Sequence, residues 1–258
     1  MNKLELAKEM FPSDLEYFAD TSYMTNSLLT LSEESPVKFQ LKLDGLLPEE
    51  KNDAFDVGHR VHEQFLEGKN RSVVLPKGFR KAGDKWKEMQ DNAPDRAIFL
   101  SQTNESMCLG MIRSLEESQA PEIMGIGTPS FEAEVPLIGE FMGVPMKGKA
   151  DGITTEVDGN RTLFDLKTTR DSLSQFESKF KWGNYPRQAA LYSHLSGVDE
   201  FYFVVVSKSF PYDVGVYRVT DATMRKGKND LEKAVQNYKD NFVTKKFNKN
   251  GYTKFGTL

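Results

Sequence analysis

The stretch GKADGITTEVDGNRTLFDLKTTRD, Gly148 to Asp171, decides how this chain is read. Two alternating runs, VPMKGKADGITTEV and RTLFDLKTT, flank Asp158-Gly159-Asn160. A D-G pair between such runs is a strong hairpin signal. A third strand, SFEAEVPLIG, precedes the hairpin and is expected to end at Gly139. In a strand, residues i and i+2 face the same side. Asp165 and Lys167 therefore project together, while Phe164 and Leu166 face the other way. Closure of the turn near Asp158-Gly159 sets Asp151 opposite Asp165. Two carboxylates and an ammonium then converge on one patch. The two acids repel unless a cation sits between them. Oxygen ligands select a hard ion, Mg²⁺ or Mn²⁺. An ordinary ion pair on a solvated sheet face would use the same residue types. The apolar run Leu163 to Leu166 argues instead for a central, buried strand. Burying two acids and a lysine there is unfavourable without a task for them.

Outward from the hairpin, the pattern alternates between helix and strand. Residues 1–50 read as short helices joined by polar turns, with a fresh start at Ser35-Pro36. DAFDVGHRVHEQFLEG, Asp53 to Gly68, repeats Val57, Val61 and Phe65 at helical spacing, with Asp53 as a cap and Gly68 as a stop. KGFRKAGDKWKEMQDNAP reads as a loop and a solvated helix. ESMCLGMIRSLEESQAPEIM is amphipathic, its Met and Leu stripe facing a core. After the hairpin, Pro186 suits a first helical turn and Gly197 a helix end. FYFVVVSK reads as a buried strand, YDVGVYRV pairs with it, and Asp221 caps a long final helix. The order is helices, three strands, helix, two strands, helix. That is an α/β or α+β core, a central mixed sheet flanked by helices.

The chain has 258 residues, 38% hydrophobic and 28% charged, enough for one large domain. We divide it into a helical part at 1–50, a core at 53–242 and a basic tail at 243–258. The tail interleaves Phe247, Tyr252 and Phe255 with lysines, a composition that suits either stacking on single strands or a solvated terminus. No run of about 18 apolar residues is present, so no membrane span is expected. The first residues lack the apolar core of a signal peptide, which sets a cytoplasmic expectation. Cys108 is the single cysteine, which excludes an intrachain disulfide and any all-cysteine metal site within one chain. It reads as a small buried hydrophobe. A net charge of −4 argues against a uniformly basic surface and leaves room for a local basic groove.

Asp151, thirteen residues, Asp165, one residue, Lys167 resembles the signature of the PD-(D/E)XK nuclease superfamily. Ala150 stands where the superfamily name has proline. More closely, FDLKTTRDSLSQFESKF, YPRQAALYSHLSGVDEFYFVVV, GHRVHEQFLEG and NSLLTLSEESPVKFQLKL resemble the RecE-like exonucleases, the exonuclease VIII family, over about residues 22 to 240. The resemblance implies a Mg²⁺-dependent deoxyribonuclease, with Mn²⁺ as a substitute. It would digest linear double-stranded DNA 5′ to 3′ and leave 3′ overhangs for recombination, in a phage-like setting. It also implies a homo-oligomeric ring on DNA ends and a RecT-like annealing partner. An endonuclease or resolvase on the same core, and a non-catalytic DNA-end-binding protein, stand as alternatives.

Roles follow from the chemistry and the resemblance together. Asp151 and Asp165 are candidate metal ligands, with the Leu166 carbonyl as a third. Lys167 orients the attacking water or stabilises charge on the phosphate. His62, one turn beyond Gly58, is a candidate for metal or phosphate contact. His59 and His194 are read as ordinary surface or core residues. An additional acid is expected at Glu134 or Glu132. Thr168, Thr169 and Arg170 follow the catalytic strand and are placed to meet a DNA backbone, unless Arg170 pairs with Asp171. Gln188 and Tyr192, at i and i+4 on one helix face, are expected beside the metal site, contacting DNA or positioning the lysine, or packing on the sheet.

Overall fold

The computed structural model describes residues 3–48 and 53–244. Four short helices open the chain: α1 (Lys3–Met10), α2 (Asp14–Ala19), α3 (Asn26–Glu34) and α4 (Pro36–Leu43). Ser13, Thr25 and Ser35 each cap the helix that follows by accepting a backbone N–H, which is why these segments stay separate helices. Next come α5 (Asp53–Glu67), β1 (Ser72–Leu75), α6 (Asp84–Asp91), β2 (Ile98–Ser101), α7 (Gln102–Glu117) and α8 (Ala120–Met124). The sequence reading did not anticipate β1 and β2. Their four-residue apolar runs are too short for a period, and only their parallel pairing across α6 makes them a sheet.

The main sheet follows: β3 (Phe131–Phe141), β4 (Val144–Thr155), β5 (Arg161–Thr169), β6 (Glu200–Ser207) and β7 (Val214–Arg218), in that spatial order. Helices α9 (Leu173–Phe180) and α10 (Tyr185–Ser196) connect β5 to β6, which is parallel to it; the other three pairings are antiparallel. Helix α11 (Asp221–Tyr238) closes the fold. The expected mixed sheet, flanked by helices, is therefore present, and β5 is its central strand. Two local expectations fail. β3 runs through Gly139 to Phe141, because Gly139 serves packing: a Cβ there would lie 2.9 Å from Leu195. Thr220, not Asp221, caps α11, its hydroxyl accepting from the Thr223 N–H. The basic tail from Lys245 onward lies outside the described residues, as do Lys51 and Asn52 before α5.

The sheet separates two cores. Leu163, Phe203 and Val205 face α3, α10 and α11, with Leu29, Leu195 and Leu231. Phe164, Leu166, Val204 and Val206 face α5 and α7, with Val61, Cys108 and Met111. Each such fully buried side chain contributes about 1.5–3 kcal/mol by leaving water. From Leu163 to Leu166, β5 is thus apolar on both faces except at Asp165, which with Lys167 lies on the α10 face.

The β4 strand changes partners along its length. It pairs with β5 from Thr155↔Arg161 to Gly152↔Phe164, and there the ladder stops. At its other end its free edge is taken by Met24, whose N–H donates to the Pro145 carbonyl while its own carbonyl accepts from the Lys147 N–H. The Lys147 side chain is 3% exposed, and its ammonium donates to the Tyr17 and Asp20 carbonyls. The N-terminal helices are thereby tied to β4, leaving a gap between β4 and β5 around Asp151.

Candidate active site

The gap is closed by a side chain rather than by backbone. Asp151 Oδ2 accepts the Leu166 N–H at 2.6 Å, just beyond the last ladder pair. The β3–β4 pair is also irregular here. Ala133 packs with the α5 core while Val135 belongs to the α10 core, although residues two apart in a regular strand share a face. On β4, a Cβ at Gly148 would meet Tyr192 of α10, whereas one at Gly152 would meet Phe131 on the opposite face. Both strands therefore invert at Glu134 and Asp151. Glu134 takes the left-handed backbone region, φ 56°, to do so. For a residue with a Cβ, that conformation costs about 1–2 kcal/mol. Strain of this kind persists where the surroundings hold it, commonly at functional sites.

The inversion brings three groups together. One ligand-capable atom each from His62, Glu134 and Asp151 lies within 4.8 Å of the others. His62 reaches the gap from α5, its Nδ1 3.6 Å from Asp151 Oδ2. Glu134, not Glu132, is the acid brought in; Glu132 pairs instead with Lys8 at 2.6 Å. Asp165 sits alongside, 2% exposed, held from two directions. Gln188 Nε2 donates to its Oδ1 at 2.5 Å, and Lys167 Nζ lies 2.6 Å from its Oδ2. That Oδ2 is buried, and its one close partner is the Lys167 ammonium, which meets it off the hydrogen-bond direction. Lys167 Nζ also lies over the Tyr185 ring, 5.9 Å from its centroid.

The electrostatics suit a cation. Burial, with Glu134 nearby, pushes the Asp151 carboxyl up to about 7, against the pull of Lys167. Burial likewise pushes Asp165 up to about 6, helped by Asp151 and opposed by Lys167. Burial draws His62 down to about 4, which keeps the imidazole neutral and its lone pair available. For Lys167, burial works against the charge, but Asp165 and Asp151 outweigh it and raise the ammonium. A Mg²⁺ ion takes ligands at about 2.0–2.1 Å, so opposite ligands stand about 4.2 Å apart. The three ligand atoms, all within 4.8 Å of one another, stand close enough to share such an ion. One imidazole and two carboxylates, with the Lys167-paired Asp165 beside them, fit a divalent metal.

The other expected site residues divide by sheet face. Tyr192 lies flat over Gly148, where its ring fills the space a Cβ would need. Its hydroxyl meets the Lys149 backbone, and burial raises its pKa, making it a weaker acid. The structure thus places it in the packing of α10 on β4, and Gln188 against Asp165. Thr168 lies beside α5, its Oγ1 3.7 Å from where a Gly58 Cβ would stand. The Thr169 hydroxyl accepts from the Asp171 N–H. Asp171 pairs with Lys179 at 2.6 Å rather than with Arg170. His59 is exposed and packs on Phe55, and His194 bonds the Glu140 carbonyl at 2.8 Å; neither joins the site. Lys149, which the sequence reading missed, joins Glu134 to Asp14 of α2. The alternation of β4 carries no signal for it, because the inversion cannot be read from residue types.

A family model described as "PDDEXK-like domain of unknown function (DUF3799)" matches residues 25–250. No curated protein sequence matches the chain. Among solved structures, one described as a "Putative exonuclease" from Eubacterium rectale aligns with a TM-score of 0.63 at 18% identity, over 94% of this chain and 88% of that one. At that identity the likeness is one of fold. A structure of SSO0001 aligns over 78% of this chain and 86% of that one, at 17% identity and a TM-score of 0.32, too low to carry an argument.

Proposed function

The chain belongs to the PDDEXK-like family DUF3799, and from that premise we propose that it is a divalent-metal-dependent nuclease. The observation that carries this reading is the meeting of His62, Glu134 and Asp151 at the β4–β5 gap, with Asp165 and Lys167 beside them. Asp151, Glu134 and His62 would hold the metal, and Asp165 would join them by a small rotation away from Lys167. When bound, the ion supplies an acidified water and positive charge for the phosphate. The protein's own part is positional. The Leu166 N–H fixes one Asp151 oxygen, and Gln188 fixes one Asp165 oxygen. Lys167, kept charged by the two acids, is placed to offset negative charge as it develops on the phosphate.

Within this reading we further propose the RecE-like specialisation: a Mg²⁺-dependent exonuclease on linear duplex ends, working 5′ to 3′ and leaving 3′ overhangs. The family resemblance of FDLKTTRDSLSQFESKF and its neighbours supports it, and the same resemblance is the ground for proposing a homo-oligomeric assembly around DNA and a RecT-like partner that takes up the overhang. The test is Mg²⁺ with end-labelled linear duplex, compared with a covalently closed circle. Loss of nucleotides from the 5′ end of the linear form alone is the expected result. Cutting of the circle would make the protein an endonuclease or resolvase. No cutting of either in Mg²⁺ or Mn²⁺ would leave a DNA-end-binding protein on a nuclease scaffold.

A further inference from the structure

The cavity lined by Glu134 and Lys149, about 510 Å³, looks at first like the place for an anionic strand. Its cations are spoken for. Lys8 pairs with Glu132, Lys69 with Glu67, Arg71 with Glu63, Arg96 with Asp14, and Lys149 with Asp14 and Glu134. An anion entering there would have to break these pairs. The opposite situation holds at the C-terminal end of the central strand. Thr169↔Ser207 is the last pair of β5 and β6, and the Lys208 N–H donates to the Thr169 carbonyl at 2.6 Å. This sets Arg170 and Lys208 side by side. Neither has a carboxylate partner among the described residues. Lys208 Nζ reaches only the Ala54 carbonyl, at 3.3 Å. Burial and then the adjacent Arg170 make the Lys208 charge less favourable, as for two cations facing one another with nothing between.

The position of the pair gives it a substrate. Strand alternation puts Thr168 on the α5 face, and just past the strand ends Lys208 reaches α5 at the Ala54 carbonyl with Arg170 beside it. On α5, Ala54, Gly58 and His62 follow one another at four-residue spacing and so share one side. His62 meets Asp151, Gly58 meets Thr168, and Ala54 meets Lys208. A line of residues thus runs along α5 from the metal ligands to the two cations, about 12 Å over eight helical residues. Gly58, lacking a side chain, lets the helix approach Thr168 closely, a Cβ there standing 3.7 Å from the Thr168 Oγ1. We propose that Arg170 and Lys208, with the Thr168 hydroxyl, form a phosphate-binding subsite. It holds the nucleic-acid backbone at a phosphate removed from the scissile one, along the same strand. This deepens the nuclease reading and rests on it. It also separates roles by face: Thr168 and Arg170 take the backbone, while Gln188 and Lys167 serve the metal side.

The experiment measures binding in Ca²⁺, of wild type, Arg170→Gln, Lys208→Gln and the double variant, to a linear duplex of defined end. Two readouts are taken: the salt dependence of affinity, and a scan in which single backbone phosphates are replaced by neutral methylphosphonates. Arg170 is exposed, so its single variant folds even if a change at Lys208 perturbs β6. The expected result is about tenfold or greater loss of affinity in the double variant. Its salt slope should be lower by about one, the value for one phosphate contact. In wild type, one internal methylphosphonate should weaken binding, and the double variant should be insensitive at that position. Wild-type affinity, salt slope or methylphosphonate pattern in the double variant would overturn the subsite. A wild type that binds and never cuts would overturn the nuclease reading, and the same binding map would still decide the subsite.

Discussion

Replacing Asp151 by asparagine should stabilise the metal-free protein while abolishing its response to metal. The carboxyl is 15% exposed and pushed up to about 7 by burial and Glu134. A group whose folded-state value is raised keeps its proton over a range where the unfolded chain has lost it. Its contribution is therefore fully present below about pH 4 and is lost as pH rises toward 7. Ionising Asp151 in the folded, metal-free chain costs about 4 kcal/mol, from the interval between an ordinary carboxyl near 4 and about 7. Asparagine keeps an acceptor for the Leu166 N–H, but its amide needs a partner, which returns about 1–2 kcal/mol. The net gain at pH 8 in a chelator is then about 2–3 kcal/mol. That corresponds to about 4–12 °C in melting temperature for a chain of this size. At pH 5 the wild-type carboxyl is protonated and the gain should vanish. Mg²⁺ or Mn²⁺ at pH 8 should stabilise the wild type by about 2.7 kcal/mol at a hundredfold excess over the dissociation constant, raising its melting temperature, and leave Asp151→Asn unmoved. Urea denaturation and thermal melts at the two pH values measure both effects. An Asp151→Asn protein less stable than wild type in chelator, by the same margin at pH 5 and pH 8, would refute this account of the site.

Three further outcomes are expected. Lys167→Ala should slow single-turnover DNA cleavage about a hundredfold or more while duplex binding in Ca²⁺ changes less, because the ammonium acts on developing charge; Lys167→Arg should not restore the rate. His62→Ala should raise the Mn²⁺ concentration needed for stabilisation in a thermal melt, whereas His194→Ala, bonded only to the Glu140 carbonyl, should match wild type. Gly227→Ala on α11 should lose about 1–3 kcal/mol or more in urea denaturation, since its Cβ would fall within the contact distance of the Pro186 carbonyl on α10.

The sequence made the centre of the fold readable because there local chemistry and tertiary demand agree. The Asp158-Gly159 turn and the alternation of Arg161 to Thr169 return β5 with its observed bounds, and the shared face of Asp165 and Lys167 follows from them. Readability fails where the backbone departs from period two. The inversion at Glu134 and Asp151 cannot be seen in residue types, so Lys149 went unnoticed, and only proximity separates Glu134 from Glu132. Arg170 was readable as a cation after the strand, but its freedom from Asp171 depends on Lys179 reaching back from α9. Lys208 became meaningful only once β6 had been laid parallel to β5, a pairing across more than thirty residues.

The family match begins at residue 25, one residue after Met24 has paired with β4. Trimming the protein to that boundary would therefore remove part of the sheet's own closure. Pro145 and Lys147 would lose their backbone partners, and the Lys147 ammonium would lose the Tyr17 and Asp20 carbonyls that it binds. Such a chain would expose Lys147 and its apolar surroundings to water, next to a newly unpaired strand edge. Unpaired edges recruit other strands, so the shortened protein would be prone to self-association, and that stickiness would be hard to tell from a genuine oligomer. Work on assembly state therefore needs the first 24 residues in place.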